Sequence, residues 1–291
     1  MKVFSTETRP RYTGAGRACV RNTVKHSRCS ACEEVCPTGA FTLTAEGKME
    51  INPHACIGCG YCLFNCPVDA VEGIAPAQRH YRDNRLVPPF SPVAPCTEEL
   101  LMWHSEYGIR LVEMEPDTAS VWFQAVATLN VRLRQMGEPL WNIVPPSPQT
   151  LNGSRRHWLH LKNAGDFTGC VTPGRRFRRS RLTQFSEYSP ELDQSRCTLC
   201  GACARICPEE AIRFDDLSMT LDPVKCTGCG NCEAVCFDRA LSVRENREST
   251  IRILRIEQAR CGVCRRDYIA WTEEENACPV CRRHTFGMRE A

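Results

Sequence analysis

The 291-residue chain is predicted to be an α+β protein in which two related cysteine-rich units flank a small α/β unit, with a cysteine-knuckle module at the end. Three observations carry this prediction. Twenty of the 22 cysteines fall in three groups, at 19–66, 197–236 and 261–281, which leaves only Cys96 and Cys170 outside. The first two groups repeat each other. The stretch between them alternates helical and strand-like periods instead.

The repeat defines the first unit, residues 1–80, and the second, residues 191–248. Each holds two segments of the form Cys-Pro-x-x-Ala-apolar: Cys36–Phe41 and Cys66–Val71, then Cys207–Ile212 and Cys236–Leu241, the last with Phe237 in the proline position. The offset is 30 residues in the first pair and 29 in the second. Between paired segments lies a hairpin pattern: Phe41–Thr44 and Met49–Asn52 in the first unit, Ile212–Phe214 and Met219–Leu221 in the second.

Residues 81–150 form the α/β unit. Leu100, Leu101, His104 and Tyr107 recur at helical spacing in Thr97–Tyr107, and Ile109–Met114 reads as a strand. Val121, Trp122, Ala125, Leu129 and Leu133 make an apolar stripe along Thr118–Gln135, with Gly137 as a stop. Trp141–Val144 is the next strand. Residues 151–190 are a basic linker or arm. From about Gly153 to Phe185, Arg155, Arg156, Lys162, Arg175, Arg176, Arg178, Arg179 and Arg181 stand against the single acid Asp166, which suits docking to an acidic partner.

The chemistry lies in the cysteine spacing. Cys56, Cys59, Cys62 and Cys66 with Pro67 read C-x2-C-x2-C-x3-C-P; the spacing recurs at Cys197, Cys200, Cys203, Cys207 and at Cys226, Cys229, Cys232, Cys236. Three thiolates at i, i+3 and i+6 wrap one face of a cubane, and the fourth points to another cluster. Gly58, Gly60, Gly201, Ala202, Gly228 and Gly230 let backbone N–H groups approach the sulfides. Zinc prefers separated ligand pairs. Disulfides suit secreted chains, whereas Met1–Pro10 has no apolar leader; a reducing, cytoplasmic setting and metal-bound thiolates are expected. No stretch is long and apolar enough to span a membrane.

The pattern resembles bacterial two-cluster ferredoxins, and two such units in one chain resemble the polyferredoxin subunits of redox complexes. The resemblance implies four [4Fe–4S] clusters. Cys56, Cys59, Cys62 and Cys36 would hold one, and Cys29, Cys32 and Cys66 three corners of its neighbour. Cys197, Cys200, Cys203 and Cys236 would hold the third, and Cys226, Cys229, Cys232 and Cys207 the fourth.

One motif departs from that pattern. The cysteine expected three residues before Cys29 is His26, and Cys19 lies seven residues upstream of it. His26 holds the register position. A thiolate is the better ligand for a cubane iron, so Cys19 is expected to complete the site.

Residues 249–291 form the last module. Cys261, Cys264, Cys278 and Cys281 read C-x2-C-x13-C-x2-C, which completes a tetrahedral four-sulfur site. The segment resembles zinc ribbons and the rubredoxin-like ends of rubrerythrins. Zinc is favoured, with mononuclear iron as the alternative. The strand-like run Ile251–Ile256 leads into it. Cys96 and Cys170 are read as free thiols.

No P-loop, complete dinucleotide fingerprint or nucleophile–base set is present, so no catalytic residue is expected. The reading is an electron carrier, or a subunit of an oxidoreductase complex, that relays electrons between redox partner proteins. A nucleic-acid-binding redox sensor using the basic arm, and a redox enzyme centred near Cys96, are the competing classes; nucleic acid is not the expected partner.

Overall fold

A computed structural model describes residues 14–115, 120–146, 166–245 and 249–283. The chain forms two compact units. The first comprises residues up to Cys19 together with Ser30–Leu182; the second comprises Val20–Cys29 and the residues from Thr183 onward.

In the first unit, the predicted hairpin forms from Phe41–Leu43 and Met49–Ile51, with Phe41 opposite Ile51 and Leu43 opposite Met49. Alternation places Phe41, Met49 and Ile51 inward, and all three are buried. Gly14–Ala15 and Val71–Glu72 extend the hairpin to a four-stranded antiparallel sheet.

The α/β part of this unit is a five-stranded mixed sheet. Arg85–Val87, Leu111–Glu113 and Asn142–Val144 run parallel, joined by the helices Thr97–Glu106 and Ser120–Met136 as crossovers. Two antiparallel strands, Arg79–Arg82 and Phe167–Gly169, complete the sheet beyond Arg85–Val87. On the long helix the core stripe is Trp122, Val126, Leu129 and Leu133; Val121 faces solvent and Val126 takes its expected place. These residues pack with Leu100, Leu101, Trp103, Ile109, Val112 and Trp141 in one core that also takes in Leu63 and Phe64. A buried ion pair crosses it: Arg79 reaches both Glu99 oxygens at 2.8 and 3.0 Å, bonds Ser91 Oγ at 2.6 Å, and lies over Trp122. The paired hydrogen bonds offset the desolvation of both charges.

The basic arm is corrected here. Its residues 151–165 lie outside the described residues, but Arg175–Arg181 form a helix in which Arg175, Arg178 and Arg179 are buried. The Arg175, Arg176 and Arg178 guanidiniums bond backbone carbonyls, which compensates a burial that composition argued against. The docking surface expected at these residues is therefore already occupied.

In the second unit, Tyr188–Leu192 pairs antiparallel with Leu241–Glu245. The expected hairpin is Ile212–Asp215 with Ser218–Leu221, and Asp215 faces Ser218 across its turn. Arg252–Arg255, within the predicted Ile251–Ile256 run, adds a third strand to Ser218–Leu221. A second hairpin, Glu257–Arg260 with Asp267–Ala270, and the helix Pro279–Arg283 follow. Leu199, Ile212, Met219, Leu221, Leu241 and Ile256 form the core of this unit. Among the described residues, no helix is long and apolar enough to cross a membrane.

Candidate metal centres

One turn is built four times. In each Cys-Pro-x-x-Ala segment the residue before alanine adopts left-handed backbone: Gly39, Asp69, Glu210 and Arg239, at φ 60, 53, 51 and 51°. That turn points the alanine N–H back at the cysteine. Ala40, Ala70, Ala211 and Ala240 donate to Cys36, Cys66, Cys207 and Cys236 Sγ at 3.2, 3.2, 3.3 and 3.2 Å. Donors of this kind stabilise a metal-bound thiolate. Each alanine carbonyl in turn accepts the N–H that opens the facing cysteine loop. The donors are Asn52 to Ala40, Gly16 to Ala70, Asp222 to Ala211 and Asp193 to Ala240, at 2.8, 2.7, 2.7 and 2.8 Å.

The loops themselves carry left-handed residues between cysteines. Gly58 and Gly228 sit at φ 66 and 69°, and Leu199 holds the same position at φ 54°. Gly60, Gly201 and Gly230 precede the short helices Tyr61–Asn65, Ala202–Ile206 and Asn231–Val235. These turns bring the thiols of each loop together. A recess is lined by Cys226, Cys229 and Cys232 with Cys207 from the neighbouring segment.

The thiols are crowded elsewhere as well. Burial, then Cys59 and Cys56, push Cys62 up to about 12; Cys36 lies close enough to add to the effect. Burial and Cys197 push Cys203 up to about 11. Cys197 is raised by burial, with Cys200 and Cys236 adding to it. Cys66 is raised by burial, and Cys19 contributes. Burial raises Cys232 too, followed by Cys226, Cys229 and Cys207. Clustered thiols that resist ionisation together are the donor set a multivalent metal centre needs, because metal charge compensates the thiolates. Cys36 differs: against the upward pull of burial, the Thr38 hydroxyl and the Ala40 N–H hold it below the usual thiol range. The clustered thiols and their N–H donors fit iron–sulfur clusters.

At the C-terminal knuckles, the sulfurs of Cys261, Cys264, Cys278 and Cys281 all lie within 4.8 Å of one another. Cys264 and Cys278 Sγ are 4.0 Å apart. The Cys278 N–H donates to Cys261 Sγ at 3.3 Å, and with the Cys264 N–H pulls the Cys261 thiol down to about 6. This is a four-sulfur metal site. It is tied to the second unit's cysteine loops. Trp271 Nε1 donates to the Cys197 carbonyl at 3.0 Å, while Arg283 pairs with Asp238 and stacks 4.7 Å from the Phe237 ring. Thr198 Oγ1 bonds Asp238 from the other side at 2.9 Å. None of these links was legible in the spacing of the cysteines.

Cys96 and Cys170 join no cysteine group. Cys96 precedes the Thr97–Glu106 helix, and burial pushes its thiol well up. The Cys170 carbonyl accepts the Tyr107 hydroxyl at 3.3 Å.

Four repeated cysteine turns, two in each half of the chain, supply the thiols and N–H donors that iron–sulfur clusters use. Comparison with known proteins agrees: residues 27–70 and 196–240 both match the 4Fe-4S dicluster domain, so the chain carries two such domains. Among its relatives is the formate dehydrogenase iron-sulfur subunit of Wolinella succinogenes. It is 42% identical over 47 residues, 16% of this chain and 24% of that protein. The uncharacterized ferredoxin-like protein YdhX of Escherichia coli is 31% identical over 93 residues, covering 30% and 42%. The thiosulfate reductase electron transfer subunit PhsB of Salmonella typhi is 33% identical over 89 residues, covering 28% and 46%. The chain thus spans between about a quarter and a half of the length of these relatives.

Proposed function

We propose that the protein relays electrons through four [4Fe–4S] clusters, as a carrier or subunit that serves an oxidoreductase and performs no catalysis itself. The observation that carries this reading is the fourfold turn, in which an alanine N–H meets the sulfur of the proline-side cysteine. The names of the relatives support the role: one is the iron-sulfur subunit of a dehydrogenase, and another the electron transfer subunit of a reductase. When bound, each cluster supplies a one-electron couple. The chain's part is to hold the thiolates, keep water from the sulfurs, and aim N–H donors at them.

The ligand sets are those the resemblance to two-cluster ferredoxins implies. Cys36 joins Cys56, Cys59 and Cys62; Cys207 joins Cys226, Cys229 and Cys232; Cys236 joins Cys197, Cys200 and Cys203. The remaining set is Cys29, Cys32, Cys66 and Cys19. Support for Cys19 over His26 comes from register. Leu192 pairs Leu241 before Asp193 bonds Ala240, and Ala15 pairs Val71 before Gly16 bonds Ala70. From that shared point the chain reaches Cys197 four residues on in one case and Cys19 three residues on in the other. Cys19 thus opens its loop as Cys197 does.

At the C-terminus, Cys261, Cys264, Cys278 and Cys281 hold zinc, with mononuclear iron as the alternative. Redox partner proteins follow from the relay. Two ferredoxin units flanking the α/β unit, with a zinc-ribbon-like end, is the arrangement that joins these readings.

Anaerobic iron and sulfide analysis with low-temperature EPR tests the proposal. About 16 irons per chain are expected, four per cubane. Two clusters only, or [2Fe–2S] spectra, would overturn it.

A further inference from the structure

We propose that the C-terminal four-sulfur module is a metal-dependent latch on one cluster, the one held by Cys197, Cys200, Cys203 and Cys236. The inference rests on the four-cluster reading and makes Trp271, Asp238 and Arg283, which ligate nothing, positioning residues for that cluster.

The module reaches both parts of this ligand set. Trp271 Nε1 donates to the Cys197 carbonyl at 3.0 Å. On the Cys236 side, one Asp238 carboxylate oxygen accepts the Thr198 hydroxyl at 2.9 Å, and the other pairs with Arg283. Asp238 thus ties the residue after Cys197 to the turn after Cys236, and Arg283 fastens that tie to the module. The Arg283 guanidinium also lies 4.7 Å from the centre of the Phe237 ring. Phe237 stands where the other three segments have Pro37, Pro67 and Pro208, so the segment that departs from Cys-Pro is the one the module grips. The recess of the neighbouring ligand set is lined instead by Pro190, Ile212 and Val243 beside its own cysteines.

The knuckle cysteines set both arms of the latch. The Cys261 N–H bonds the Arg266 carbonyl at 2.9 Å and the Gly262 N–H the Asn276 carbonyl at 2.8 Å, which closes the loop that carries Trp271. The Trp271 N–H is held by Glu275 Oε1 at 2.9 Å. Arg283 ends the short helix Pro279–Arg283, which contains Cys281. The buried core of the module is Cys261, Cys278 and Cys281, with Cys264, Tyr268 and Ala277 packed against it. A core made of thiols is stable only while they hold metal. Metal release therefore frees Trp271 and Arg283 together, and the Cys197 loop and the Cys236 turn lose their common support.

Anaerobic alkylation of the full-length loaded protein with iodoacetamide, read cysteine by cysteine by mass spectrometry, tests the latch. W271F removes the N–H donor and keeps a ring; R283Q removes the ion pair and the stack. Cys197, Cys200, Cys203 and Cys236 are expected to label about fivefold faster in W271F and about threefold faster in R283Q. Cys207, Cys226, Cys229 and Cys232 should keep the wild-type rate in both, and R283K should restore it at the first set. In Cys261→Ser, the Cys197 set should label before the Cys207 set. Equal acceleration of the two sets, or wild-type rates at the Cys197 set in either W271F or R283Q, would overturn the latch. Wild-type protein that labels at once in both sets and lacks four-iron EPR signals would instead overturn the cluster reading.

Discussion

The two dicluster segments share a turn and differ in what holds it. In the first, the Tyr61–Asn65 helix sends Leu63 and Phe64 into the large core of the α/β part, and an arginine helix caps its end. In the second, the core is small, and the four-sulfur module adds a strand to its hairpin, a Trp271 bond to Cys197 and an Arg283 stack on Phe237. The same metal-binding turn is thus supported once by apolar burial and once by a neighbouring metal site. A cysteine-rich segment buries too little apolar surface to be stable by itself, and these are two solutions to one deficit.

The comparison can be broken most directly at the terminal knuckles. Cys261→Ser is expected to release the metal and destabilise the second unit by about 2 kcal/mol or more, a fall of roughly 10 °C in its melting temperature. Trp271 fluorescence should change in parallel. Equal melting of wild type and variant would mean that the second segment needs no such support.

Next in size is the loop contrast between Cys19 and His26. Cys19→Ser is expected to lose between one and four irons, giving about 12 to 15 per chain, whereas His26→Ala keeps the full complement of about 16. Iron analysis with three-iron EPR signals checks it, and the opposite pattern would move the ligand to His26.

A smaller effect compares equivalent glycines. Gly228 has φ 69° and a Cβ there would lie 2.7 Å from the Tyr188 ring, whereas Gly58, at φ 66°, faces open space. Gly58→Ala should cost about 1 kcal/mol of left-handed strain. Gly228→Ala adds a clash and should cost about 2–3 kcal/mol. Denaturant titration reads both, and equal costs would deny the Tyr188 contact.

The smallest effect belongs to the α/β part. His104 is buried, accepts the Trp141 Nε1–H at Nδ1 and meets Glu138 through Nε2. Burial, with Arg110, lowers its pKa. The neutral ring is therefore favoured in the folded state. Its contribution is full above the ordinary value of about 6.5 and is lost as pH falls through the lowered value. Stability of this unit should decline as pH falls from 7 to 5, and His104→Gln should flatten that decline in thermal melts.

Much of this was legible in the sequence. Cysteine spacing, hairpin alternation and the Trp122–Leu133 stripe are local signals, and each maps to a local structure. Long-range pairings were not legible. Arg252–Arg255 reads as a strand but nothing in it names Ser218–Leu221 as its partner. The arginine helix misled because composition reports charge and not the carbonyls that satisfy it. Leu199 hides a left-handed position that glycine marks in the sister loops.

The four left-handed positions carry a consequence for how such a chain diverges. Gly39, Asp69, Glu210 and Arg239 are all exposed, and they are neutral, negative, negative and positive. The backbone bond from alanine to sulfur forms with four different side chains at this position, and Asp69 has the second task of accepting the Arg175 N–H. Each repeat therefore carries one site, three residues from a ligand, where a single codon change alters local charge without touching the ligand set. A duplicated gene can in this way change the charge beside each cysteine turn separately while every cysteine stays in place.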